Sequence, residues 1–172
     1  MIHLESHFQR RGIILAFWAM DDRVDGLLFQ KGEVWFCLIN GTRPFARRRY
    51  TMAHELVHYD RHRQHSWCFT DSEGQEMTWM EREANAGAAK LLMPRQGLVD
   101  SMAYLGANFR RMPLRNLVIV MAETFSVSRE AMAYRLSDPD VKMIPWEEAN
   151  RLIEEERPAM REVQHRITKR RE

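Results

Sequence analysis

The hydrophobic pattern changes period near residue 44. Before it, three short apolar runs, Ile13 to Trp18, Gly26 to Gln30 and Glu33 to Ile39, are broken by Asp21-Asp22 and Lys31-Gly32. Short polar breaks between aromatic and branched runs predict antiparallel hairpins, about three strands in all. Met1 to Arg11 predicts a short helix closed by Gly12, and Asn40-Gly41 predicts a turn. After residue 44 the pattern is helical. One helix is expected from Pro44 to His62 and a second from Met77 to Met93, stopped by Pro94. Shorter ones are expected over Gln96 to Leu105, Pro113 to Phe125, Ser128 to Leu136 and Trp146 to Arg157. Ser66 to Gln75 reads as loop, and Arg161 to Glu172 as a frayed basic tail.

Strands first and helices afterwards predict an α+β fold: a small N-terminal antiparallel sheet, a mainly helical core and a C-terminal helical module. The expected organisation is a domain over 1–137, with the module starting near residue 96, followed by a helix and basic tail over 138–172. Composition adds little. The chain has 172 residues, 45% hydrophobic and 29% charged, as in ordinary globular proteins. A net charge of +2 is too small to imply a nucleic-acid partner. No apolar run approaches the ~20 residues of a membrane span. Two cysteines, Cys37 and Cys68, and a polar, charged start to the chain lead us to expect a cytoplasmic protein.

The chemistry concentrates in Arg48 to His62, RRYTMAHELVHYDRH. Residues four apart on a helix share a face, so His54 and His58 can offer two imidazoles to one ion. Glu55 lies about 100° round the axis and can reach a water at that ion without binding the ion itself. This is the H-E-x-x-H arrangement of zinc hydrolases, two ligands and a general base. A third ligand is needed. The class that places a third histidine ten residues after the first is excluded, because that position is Gln64 and His65 is one place off. A carboxylate from WMEREANAGAAKLLMP is the other solution. Glu81 shares a face with Ala84, Asn85, Ala88 and Leu92, whose small members permit close helix packing. Glu81 is therefore preferred, with Glu83 as the alternative.

RRRYTMAHELVHYDRH followed by EREANAGAAKLLMP, and later FSVSREAMAYRL, resembles the ImmA/IrrE family of zinc metallopeptidases. The matched blocks run from Ile39 to Leu136. The resemblance implies a zincin-like core in which His54, His58 and Glu81 bind Zn2+ and Glu55 is the catalytic base. It implies a bacterial or phage regulatory protease whose substrate is a helix-turn-helix repressor. Three positions depart from the family pattern, the mildest being Tyr50 in place of the usual phenylalanine. Val57 stands where glycine is usual, and Gly87 where phenylalanine is usual.

Other features have competing readings. His62, one turn beyond His58, could hold a substrate oxyanion or simply end a helix. Cys68 could be an inhibitory ligand or a packed thiol. Arg47 to Arg49 oppose the dipole of the helix they begin, which predicts a tertiary partner for at least one of them. SVSREAMAYRL offers Arg129 and Arg135 to DNA, but direct nucleic-acid binding is not expected. The rival reading is a metal-binding regulator that sequesters its partner, or binds DNA, without cutting.

Overall fold

The computed structural model describes residues 2–69, 77–106 and 111–155. The expected tail over 161–172 lies outside them. The fold is α+β, with two compact units: Met1–Pro94 with Thr124–Ser128, and Arg95–Glu123 with the chain from Arg129.

In the first unit, helix α1 (Leu4–Arg10) buries Leu4 and Phe8. Gly12, at φ +66, then turns the chain into the sheet. The strands are β1 (Ile13–Trp18), β2 (Val24–Lys31), β3 (Val34–Asn40) and β4 (Ser66–Phe69), in the order β1-β3-β2-β4. The hairpin at Lys31-Gly32 forms as its sequence predicts, with β2 antiparallel to β3. Two features correct the expected three-stranded antiparallel sheet. First, β1 does not pair with β2: it lies on the far side of β3, parallel to it, with Leu15 opposite Cys37. Second, residues 66–69, expected as loop, form β4 antiparallel to β2. The sheet is therefore mixed and four-stranded. Alternation identified the strands, but which edge of the central hairpin β1 joins depends on burial across the whole sheet.

Leu28, Trp35, Cys37 and Ile39 supply the buried side of the sheet. Helix α2 (Phe45–Val57) contributes Met52, Ala53 and Leu56 to the same core. A close approach brings them together: a Cβ on Gly26 of β2 would come within 2.5 Å of Thr51 Cγ2 on α2. The turn into α2 is fixed by Asn40, whose Nδ2 donates to the Val24 carbonyl (2.8 Å) and whose Oδ1 accepts from Thr42 Oγ1 (2.8 Å). Of the arginines that oppose the helix dipole, Arg47 has the expected tertiary partner. Asp25, fully buried, is ion-paired to Arg43 and Arg47. Arg49 donates to the Ile2 carbonyl.

Helix α3 (Trp79–Leu92) is capped by Thr78, whose Oγ1 accepts from the Glu81 amide (3.2 Å), and it buries Ala84, Ala88 and Leu92. Two of the departures from the family pattern, Val57 and Gly87, meet where α3 crosses α2. A Cβ on Gly87 would lie 2.7 Å from Val57 Cγ2 and 3.0 Å from its Cγ1. The bulk absent at 87 is thus present at 57, and the helices stay close. Gly87→Ala gains ~1 kcal/mol of helix propensity but must displace a stiff β-branched neighbour, an overpacking cost of about 1–3 kcal/mol. It should therefore leave the protein no more stable, and Val57→Ala should relieve it. Thermal denaturation of the four proteins in this cycle should show a favourable coupling of about 1–2 kcal/mol; purely additive effects would refute the contact.

The second unit contains α4 (Arg95–Leu105), most of α5 (Leu114–Phe125), α6 (Arg129–Ser137) and a helix over 146–155, α7. Its buried side chains include Leu98, Leu117, Met121, Met132, Leu136 and Ile153. Arg135, one of the two arginines a DNA-reading helix would offer, is 1% exposed and bound by Asp138 and Asp140.

Candidate metal centre

His54 and Glu55 on α2, and His58 immediately after it, are all buried, beside the apolar Met52, Ala53 and Leu56. Burying three polar side chains costs free energy unless each finds a partner. His54 Nε2 and His58 Nε2 lie 3.0 Å apart. Glu81 reaches down from α3 to both, with Oε2 3.2 Å from His54 and Oε1 3.3 Å from His58. The structure thus brings together His54, His58 and Glu81, the three residues expected as ligands. Glu83 goes elsewhere, with Oε2 3.2 Å from His62 Nε2.

An outer layer orients His54. Its Nδ1 faces Asn85 Oδ1 at 3.0 Å, and that oxygen also accepts from Tyr50 Oη at 3.2 Å. A carbonyl oxygen can only accept, so His54 carries a proton on Nδ1 and, when neutral, presents a lone pair from Nε2. Asn85 was legible as a member of the Glu81 face, but its bond to His54 was not foreseen.

Glu55 occupies a different environment. Its Oε2 accepts from Ser66 Oγ on β4 at 2.5 Å, and Oε1 is buried with no hydrogen-bond partner among the described residues. Burial pushes its pKa up to about 7, against the pull of the Ser66 hydroxyl and of His58. Ser66 lay in the segment expected as loop, so the sequence offered no reason to assign it this contact. Cys68, on the same strand, has its sulfur within 4.8 Å of ligand atoms of His54 and Glu55. Burial pushes that thiol up, keeping it protonated, and the group containing Cys68 is a poorer cation site than the one containing Glu81.

The remaining candidates separate cleanly. His65 is not in the site: its Nε2 accepts from the Gln30 amide (3.3 Å) and its ring lies edge-on to Trp35. The side chain of His62 is 1% exposed and is engaged by His58 and Glu83. With both ring nitrogens engaged and the side chain buried, His62 is neither turned to a substrate nor a solvated helix end.

The donor set fits a metal ion. Zinc bonds of ~2.0–2.1 Å in a tetrahedron put ligand atoms about 3.3–3.4 Å apart, close to the 3.0–3.3 Å found here. Two imidazoles and a carboxylate suit zinc among the divalent cations. An α+β fold that carries this cluster, with a buried carboxyl beside it, defines a protein of the metallopeptidase type. The family model for the IrrE N-terminal-like domain, Peptidase_M78, matches residues 14–137, and the chain belongs to that family. No curated protein matches the chain.

Proposed function

We propose that the protein is a zinc-dependent endopeptidase that cuts a specific regulatory protein. One observation carries the metal part of this reading. Two imidazole nitrogens 3.0 Å apart face the two oxygens of one carboxylate, Glu81 Oε2 3.2 Å from His54 and Oε1 3.3 Å from His58. Lone pairs that close repel unless a cation lies among them.

Zinc, when bound, acidifies water and polarises a carbonyl. The chain's own residues do the rest. His54, His58 and Glu81 hold the ion. Glu55 Oε1, which has no hydrogen-bond partner among the described residues, takes the water's proton and later delivers it to the leaving amine nitrogen. Ser66 keeps the other oxygen aligned.

An extended substrate has an edge to pair with, although not the one expected from the sequence. β3 is flanked by β1 and β2, so it offers no edge. The edge strand beside Glu55 is β4, which among the described residues pairs only with β2. Strand addition there would run a peptide past the site. The narrower reading, a helix-turn-helix repressor as substrate in the bacterial or phage cytoplasm, rests on the family resemblance. The free thiols of Cys37 and Cys68 suit a reducing compartment.

The test is co-expression with a small helix-turn-helix protein encoded next to this chain's gene, followed by mass-spectrometric mapping of the fragments. Cleavage at one site, abolished by a strong chelator and restored by zinc, is the expected result. A repressor that is inactivated while remaining intact would favour sequestration.

A further inference from the structure

One cluster near the site has no role in this mechanism. Immediately after α2 the helix widens into a π-helical turn, His58–His62, closed by the Arg63 amide donating to the His58 carbonyl (2.9 Å). Such turns are rare and recur at functional sites. Here the wider turn sets His62 edge-on to His58, with ring centroids 4.9 Å apart and the two Nδ1 atoms 3.0 Å apart. On its other side His62 Nε2 meets Glu83 Oε2 at 3.2 Å. Trp79 packs edge-on against the His62 ring, centroids 5.4 Å apart. Glu83 Oε1 also faces Arg61 Nε at 3.7 Å.

The protons in this chain of contacts can be assigned by elimination. A carboxylate only accepts, so His62 Nε2 carries a proton and donates it to Glu83. A neutral His62 then has its lone pair on Nδ1. That lone pair faces His58 Nδ1, which must carry the proton between them. His58 is left with a lone pair on Nε2, the atom that faces His54 and Glu81.

We propose that His62 and Glu83 are positioning residues that act through His58: the hydrogen-bonded series Glu83–His62–His58 fixes the His58 tautomer and aims its Nε2 at the metal. The proposal rests on the zinc reading above. It assigns to His58 an imidazole relay ending in a carboxylate, where His54 has the single amide of Asn85. Partners of this outer kind typically change metal affinity 10–100-fold.

The test uses the full chain. Zinc dissociation constants are measured by competition with a chromophoric chelator for the wild type, His62→Phe, His62→Asn and Glu83→Ala. The imidazole nitrogens of the zinc-loaded wild type are assigned by 15N–1H correlation. His62→Phe keeps the ring volume but removes both hydrogen bonds, and should weaken zinc binding about 10–100-fold. Asn places its Oδ1 where Nδ1 was, so His62→Asn should bind more tightly than His62→Phe. Glu83→Ala should fall between His62→Phe and the wild type. The spectra should show protons on His58 Nδ1 and His62 Nε2.

A proton on His62 Nδ1 would overturn the proposal, as would wild-type zinc affinity in His62→Phe or an Asn variant no better than Phe. If His62→Phe fails to fold, Glu83→Ala decides instead, since Glu83 is 42% exposed and its loss is tolerable; unchanged affinity there is the refuting result. A wild type that takes up no zinc would sink the metal reading itself. A wild type that binds zinc with all variants unchanged would sink only the relay.

Discussion

Glu55→Gln is expected to lower peptide cleavage by about 10²–10⁴-fold and, in the absence of metal, to make the protein more stable. Glu55 is buried on a helix that packs against an apolar sheet, and burial raises its pKa from 4.5 to about 7. The folded state therefore favours the protonated form. Between pH 4.5 and 7 the unfolded chain has released this proton while the folded one retains it, so stability falls as pH rises. Below that window the carboxyl imposes no penalty. Above it the penalty is constant, on the order of 3 kcal/mol. Glutamine keeps the Ser66 hydrogen bond and never ionises. Denaturant unfolding with chelator present should show variant and wild type converging at pH 4–5 and diverging up to pH 7–8. Equal stability at pH 8 would mean that Glu55 is hydrated rather than buried. Retained cleavage would remove it as the base.

Glu81→Ala should have the largest effect on metal. The substitution leaves two imidazoles and removes the only carboxylate among the three converging side chains. Loss of a direct ligand should exceed the ~10–100-fold that outer partners contribute, and binding should fall outside the range in which the wild type retains zinc through dialysis. Zinc content per chain, measured by elemental analysis after dialysis, decides the matter. Stoichiometric metal in Glu81→Ala would transfer the third position to another residue, and Glu83 would be the first to examine.

Much of this was legible in the sequence because each element has a local signal. β1 begins and ends where its apolar run does, and α2 and α3 lie within a residue or two of the expected limits at most ends. The helix-borne triplet His54, Glu55 and His58 follows from spacing, and the Glu81 face follows from the small residues around it. The misses were all non-local or sub-helical. Nothing in Ile13 to Trp18 states that it will run parallel to β3. Ser66 to Phe69 is short and follows a charged turn, and it becomes a strand only because β2 has a free edge to pair with. The π turn at His58 has the composition of an ordinary helix end. A 3.6-residue period therefore placed His62 one turn along, without showing that its ring would sit against His58.

The contact between Gly87 and Val57 has a consequence for how variants of this chain could arise or be built. Introducing the usual family phenylalanine at 87 while Val57 remains would drive a ring into an occupied place. Changing Val57 to glycine first would open a void where α2 meets α3. Each single step is unfavourable, and only the paired exchange restores contact. Residues taken from a relative to alter specificity should therefore be transplanted as this pair, and a consensus choice made position by position would damage the helix crossing that carries Glu81.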